Sequence, residues 1–233
     1  MAAPIAKVLV AATAKGGAGK STTIACLAVY WHKVGRKVAL LDADPNRTLT
    51  RWHGKGSVLA EMTLRTELDE HAIISTIGEL ARGRDLVLVD CAGFGNQAMI
   101  FAIGAADLVL IPAMTDEANV FEAARTFKIV ESASQLTRRT IPAHTFLCRV
   151  KRSAVATHAR AQLAVLKTSP LTAQLSDRVL FQEATFHGAS PTVLAPSSTA
   201  AAEVALLARE VEWLLRVRPS VREAKLARRV ELT

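Results

Sequence analysis

Val8-Leu9-Val10-Ala11 leads through Ala12-Thr13-Ala14 into Lys15-Gly16-Gly17-Ala18-Gly19-Lys20-Ser21-Thr22, and the reading of this stretch decides the fold. The apolar run predicts a strand over 7–12. After the glycines, Ile24, Leu27, Ala28 and Trp31 recur at i, i+3, i+4 and i+7, and Gly35 closes the pattern, which predicts a helix over 21–34. A glycine-rich turn between strand and helix lets backbone N–H groups point onto a polyphosphate with no Cβ in the way. Residues 15–22 therefore form the candidate nucleotide cradle: Gly16, Gly17, Ala18, Gly19 and Thr22 supply the loop, Lys20 reaches the terminal phosphates, and the Ser21 hydroxyl ligates Mg²⁺. The general G-x-x-x-x-G-K-[ST] pattern is broken at its first position, where Ala14 stands. Lys15 adds a second cation that an ordinary phosphate loop lacks.

Working outward, near-continuous apolar strands alternate with helical patterns. Strands are expected over 37–41, 86–89, 108–111 (ended by Pro112) and 145–150, with 58–66 ambiguous. Helices are expected over 68–81, with Ile73, Ile74, Ile77 and Leu80 on one face, and over 116–136 and 155–166. A late helix carries Val204, Leu207, Ala208, Val211 and Leu215 and is ended by Pro219. Strands of this kind imply a single doubly wound α/β domain, a mostly parallel sheet with helices on both faces. The expected division is a nucleotide-binding domain over 1–217 and a basic tail or helix end over 218–233. Ligands in such sheets bind at the carboxyl ends of the strands, where the Lys15 loop, Asp42-Ala43-Asp44 and Asp90 all fall.

Asp90 follows a buried strand and precedes Cys91-Ala92-Gly93, a position from which a carboxylate holds Mg²⁺ opposite Ser21; the alternative is a helix N-cap. In Asp42-Ala43-Asp44-Pro45-Asn46 the alternation of an extended segment turns both carboxylates to one side. Asp44, beyond the strand end, is the candidate for orienting or deprotonating an attacking water. A locally capped turn is the bland alternative.

Taken together, the Lys15–Thr22 motif, Leu40-Leu-Asp-Ala-Asp-Pro-Asn46 and Val87-Leu-Val-Asp-Cys-Ala-Gly93 resemble the deviant Walker A, A′ and B series of the ParA/MinD ATPases. Phe181-Gln-Glu-Ala-Thr-Phe-His-Gly188 resembles a stretch common in ParA proteins, so the likeness covers nearly the whole chain. The resemblance implies Mg²⁺-dependent ATP hydrolysis within an ATP-bound sandwich homodimer. It also implies that Lys15 crosses to the partner's nucleotide, that Asp44 is the hydrolysis residue, and that a ParB-like or other partner stimulates slow turnover. Asp-Pro-Asn in place of Asp-Pro-Gln, and Asp90-Cys-Ala-Gly93 in place of Asp-x-Pro-Pro, depart from the family pattern. Asp42–Trp52 looks closer to small plasmid-partition members and to the VirC accessory ATPases of T-DNA transfer. The first strand begins within the first ten residues, with no helix-turn-helix ahead of it, so operator-specific repression is not expected.

Lys and Arg number 29 against 21 Asp and Glu, and no acid occurs between Glu131 and Asp177. Arg149, Lys151 and Arg152, together with the stripe Arg218, Arg222, Lys225 and Arg229, are candidate contacts to non-specific DNA. The tail offers modest apolar area and no aromatic anchor, which suits phosphate contacts better than bilayer insertion, so a MinD-like membrane cycle is the less favoured reading. Three widely spaced cysteines, no export signal and no long apolar span predict a cytoplasmic protein, and the resemblance implies association with the nucleoid. Cys26, Cys91 and Cys148 are also poorly arranged for an iron–sulfur reductase of the nitrogenase iron-protein type. Basicity and Lys15 speak against a small-molecule ligase such as dethiobiotin synthetase.

Overall fold

The computed structural model describes residues 6–93 and 97–216. Its seven strands form one sheet in the order β3-β2-β4-β1-β5-β6-β7, with every neighbouring pair parallel. β1 (Lys7–Ala11), β4 (Leu86–Cys91) and β5 (Leu108–Ala113) make the centre. β2 (Val38–Ala43) and β3 (Thr63–Thr66) flank them on one side, β6 (Ala143–Val150) and β7 (Gln174–Ser176) on the other. β2, β4 and β5 are buried at every position, as a parallel sheet covered on both faces requires.

Alternation divides β1 between two cores. Val8 and Val10 join α3 (Ile73–Leu80), α4 (Gln97–Ala105), α5 (Glu117–Thr137) and α6 (Ser153–Val165) on one face. Leu9 and Ala11 join α1 (Lys20–Lys33), α7 (Val179–Phe186) and α9 (Thr199–Leu215) on the other. The fold class expected from the sequence is the one observed. Two short helices, α2 (Thr48–His53) and α8 (Pro191–Leu194), complete the second face and fall below the length at which periodicity speaks.

Several boundaries differ for physical reasons. The expected 68–81 helix begins only at Ile73, because Asp69 accepts the His71 N–H and Glu70–Ala72 forms a 3₁₀ turn; Ile74 is then 53% exposed rather than in the core. Pro112 does not end β5, which runs to Ala113. Val109 donates towards β6, so Pro112 faces β1, whose pairing has already stopped at Leu110, and its missing N–H forfeits no ladder bond. α9 ends at Leu215 with Arg216 in the left-handed region (φ 52°), ahead of Pro219. Arg218, Arg222, Lys225 and Arg229 lie outside the described residues. The acid-free basic stretch is not one patch either. Arg138 and Arg139 precede β6 while Arg149 lies near its far end with Lys151 and Arg152 just beyond, about 25 Å away at a strand's rise per residue.

Candidate nucleotide site

The glycine loop joins the end of β1 to the first turn of α1, and its shape depends on φ. Gly19 is the helix N-cap at φ 99° and Gly17 sits at φ 75°, both in the region glycine alone adopts cheaply. No side chain caps α1, so its first N–H groups are left for an anion. The loop is held from three sides. Ala14 N–H donates to Thr126 Oγ1 of α5 (3.1 Å), the Cys148 thiol donates to Ala18 O (2.7 Å), and Thr23 Oγ1 donates to Gly19 O (2.7 Å). A Cβ on Gly93, after β4, would come within 3.0 Å of Ala14 O, so the loop beyond Asp90 lies directly against the cradle.

A polar cavity of about 280 Å³ is lined by Gly16, Lys20, Ser21, Asp44, Asn46 and Gly93. A larger one of about 470 Å³ adjoins it, sharing Gly17, Gly19 and Thr22 and walled by Arg149, Phe181 and Phe186. The first suits phosphates and the second a base and its sugar. Ala18 is fully buried and reaches neither cavity with its side chain. Phe181 and Phe186 could be found from sequence only as part of the Phe181–Gly188 motif. Thr126 and Asp116 gave no sequence signal, because their partners are about a hundred residues away.

Lys20 is 6% exposed, and its ammonium donates to Thr13 O (3.4 Å) and Lys15 O (3.3 Å). Burial lowers its pKa, opposed by the negative charge of Asp90 and Asp44. Asp90 is completely buried, and neither carboxylate oxygen makes a hydrogen bond of normal geometry, although the Ser21 hydroxyl lies near enough to act on its charge. Burial pushes its pKa up to about 7; the nearby Ser21 hydroxyl and Lys20 pull it down, and Asp42 and Asp44 push it up. Two orphaned, buried carboxylate oxygens facing a hydroxyl are what a divalent cation would satisfy, so Ser21 and Asp90 fit Mg²⁺. The N-cap alternative for Asp90 does not apply, since no N–H reaches it.

The raised pKa has a signed consequence. Asp90 binds its proton more tightly folded than unfolded, so its favourable contribution is full below about pH 4 and is lost as pH rises through about 7. Nucleotide-free protein is expected to lose stability between those limits, and Asp90→Asn to remove that slope. Denaturant titrations of both proteins across the range check this, and parallel pH profiles would contradict it. Because proton and cation compete for the same oxygens, Mg²⁺ affinity is expected to weaken below about pH 7.

The expectation that Asp42 faces the site with Asp44 is corrected. Asp42 Oδ1 accepts Asp44 N–H (3.2 Å), and Oδ2 accepts both the N–H (2.8 Å) and hydroxyl (2.7 Å) of Thr50, whose oxygen lies 2.9 Å from Thr66 Oγ1. Asp42 thus clasps the end of β2 to α2 and β3. Asp44 lines the polar cavity, with Oδ1 accepting Asn46 N–H (2.8 Å) and its carbonyl accepting Arg47 N–H. Arg51 closes the same turn by donating to Asn46 O. Gly188, at φ 56°, packs so tightly behind α2 that a Cβ there would collide with the carbonyl oxygen of Trp52.

Lys15 does not line the phosphate cavity. Its ammonium lies 4.0 Å from Asp116 Oδ1, at the residue whose carboxylate caps α5 by accepting Asn119 N–H and Nδ2–H. Lys15 and Lys20 therefore divide: Lys20 lines the cavity, while Lys15 is paired with Asp116 and does not line it. Arg149 and Lys151 both approach Asp177 (4.0 and 3.5 Å), so part of their charge is already compensated, while Arg152 is exposed. All three cysteines are buried, Cys91 on one face of the sheet and Cys26 and Cys148 on the other. No group of three metal-ligating side chains stands among the described residues, and no helix there is long and apolar enough to cross a membrane.

A glycine cradle with this second lysine, backed by Asp44 and Asp90 at neighbouring strand ends of a parallel sheet, defines an ATPase of the ParA/MinD type. The family model described as VirC1 protein matches residues 6–212, and the chain belongs to that family. ParA of Rhizobium radiobacter is 34% identical over 151 residues, covering 65% of this chain and 68% of that protein. A virC1 protein of the same organism is 31% identical over 162 residues, covering 67% and 70%. Among solved structures, the ATP complex of Cyanothece McdA superimposes with a TM-score of 0.74 at 18% identity, over 94% of this chain and all of that one.

Proposed function

We propose that the chain is a Mg²⁺- and ATP-dependent positioning ATPase that dimerises on ATP, binds DNA non-specifically and distributes a plasmid or similar cargo. Slow hydrolysis is stimulated by a ParB-like or other partner. The observation that carries this reading is the division of the two lysines, with Lys20 in the cavity and Lys15 outside it against Asp116. A lysine outside its own cavity is free to serve a neighbouring protomer's nucleotide. The ATP seen with McdA supports ATP as the nucleotide.

In this mechanism Ser21 and Asp90 would hold Mg²⁺, which when bound would supply neutralisation of phosphate charge. Loop N–H groups and Lys20 bind the polyphosphate, the Phe181 and Phe186 wall covers the base, and Asp44 orients the attacking water and accepts its proton. The second reading, an accessory ATPase of T-DNA or conjugative transfer, is favoured by the family match over residues 6–212. Both readings share the site and differ in cargo. Size exclusion with and without ATP, combined with salt titration of a labelled duplex, tests the common core. Dimers and duplex binding that both require ATP, with affinity falling steeply as salt rises, are expected. Monomers throughout, or binding indifferent to ATP, would overturn it.

A further inference from the structure

α9 carries three carboxylates and turns all of them inward. Glu203 accepts from Ser176 N–H, Ser176 Oγ and the Arg178 guanidinium. Glu210 accepts the N–H groups of Thr172 and Ala173 (2.9 and 2.8 Å). Glu212 pairs with Arg36 at 3.6 Å, both side chains largely buried. The outward stripe that remains is Ala202, Leu206, Arg209, Trp213 and Arg216, at i, i+4, i+7, i+11 and i+14, and every one of these residues is exposed. Trp213 is 78% exposed and Leu206 56%. Arg209 spends one donor on the carbonyl of its own helix, Ala205 O (3.3 Å). An exposed indole thus stands between two arginines whose backbone positions are about 10 Å apart along the axis, and among the described residues of α9 no carboxylate shares that stripe.

We infer that this stripe of α9 is a contact for single-stranded nucleic acid, with Trp213 stacking on an unpaired base and Arg209 and Arg216 holding the flanking phosphates. Charge selects a polyanion. The indole then selects among polyanions, because a duplex keeps its base faces stacked inside and offers Trp213 nothing but its sugar–phosphate wall, whereas every unpaired base presents a π face. A bilayer would need a broad apolar face. Here Arg209 interrupts the apolar positions, leaving two large side chains. A second copy would bring like charges together. The inference extends the proposed DNA binding and rests on it only in taking nucleic acid as the polyanion.

The test uses the full chain with ATP and three probes: labelled oligothymidine, a duplex of equal length, and phosphatidylglycerol vesicles. Trp213→Ala is expected to weaken oligothymidine binding about 5- to 140-fold, the span of one lost base stack. Trp213→Phe keeps most of the affinity, and duplex binding is unchanged in both variants. Equal loss on duplex and oligothymidine, absence of oligothymidine binding in the unmodified chain, or loss confined to vesicles each overturns the inference. ATP turnover and ATP-dependent dimerisation are read on the same samples, so a failure of the positioning-ATPase reading shows there independently.

Discussion

Replacing Asp44 with alanine is expected to reduce ATP turnover by about 10²–10⁴-fold while leaving nucleotide binding intact, so that the ATP-bound dimer accumulates. Asp44 is 9% exposed and lines the polar cavity, and its carboxylate is fixed by the Asn46 N–H at 2.8 Å. It belongs to the turn and contributes nothing to the glycine cradle, so its removal strips the water-activating group and spares the N–H groups and Lys20 that bind phosphate. The fold should tolerate the change, because the clasp from β2 to α2 is made by Asp42 and Thr50. Phosphate release measured beside size exclusion with ATP decides the matter. Normal turnover, or a protein that no longer binds ATP, would remove Asp44 from its proposed role.

Mixing two inactive variants, Lys15→Ala and Asp44→Ala, is expected to restore activity that neither has alone. If Lys15 serves the partner's nucleotide, a mixed dimer contains one complete site. That site has the Asp44 of the Lys15→Ala subunit and the Lys15 of the Asp44→Ala subunit; the other site lacks both. Statistical pairing of equal amounts makes half of the dimers mixed, so turnover should recover to about one quarter of the unmodified level. If Lys15 acts within its own subunit, both sites of a mixed dimer are defective and nothing is recovered. The geometry favours the first outcome. Lys15 lies outside the cavity, 39% exposed, 4.0 Å from Asp116, whose own side chain is 55% exposed. An exposed pair of this kind is weak, about 1 kcal/mol or less, so leaving Asp116 costs little against a developing phosphate charge.

Much of this site is legible in the sequence because its parts are local. A strand end, two glycines and a lysine at fixed spacing suffice to place the cradle, and Asp90 is marked by the four buried residues before it. The role of Asp42 is not legible in the same way. Period-two alternation holds only while the strand continues, and after Ala43 the chain turns back, so Asp44 N–H donates to Asp42 itself. Ile74 misleads for a similar reason: its spacing is helical, but where the helix begins sets which residues face the core, and a single capping contact at Asp69 decides that. The loop's tethers to Thr126 and Cys148 are contacts across 112 and 130 residues, beyond any local pattern.

Gly188 presses on the backbone of α2, and the same α2 begins at the turn that holds Asp44. The helix just before Gly188 carries Phe181 and Phe186, walls of the larger cavity. The aromatic wall of the larger cavity and the turn that holds Asp44 therefore meet where Gly188 touches the Trp52 carbonyl, with the Lys55 side chain beside that contact. Gly188→Ala is therefore expected to disturb the Asp44 turn and the aromatic wall together, lowering turnover and nucleotide affinity in one substitution.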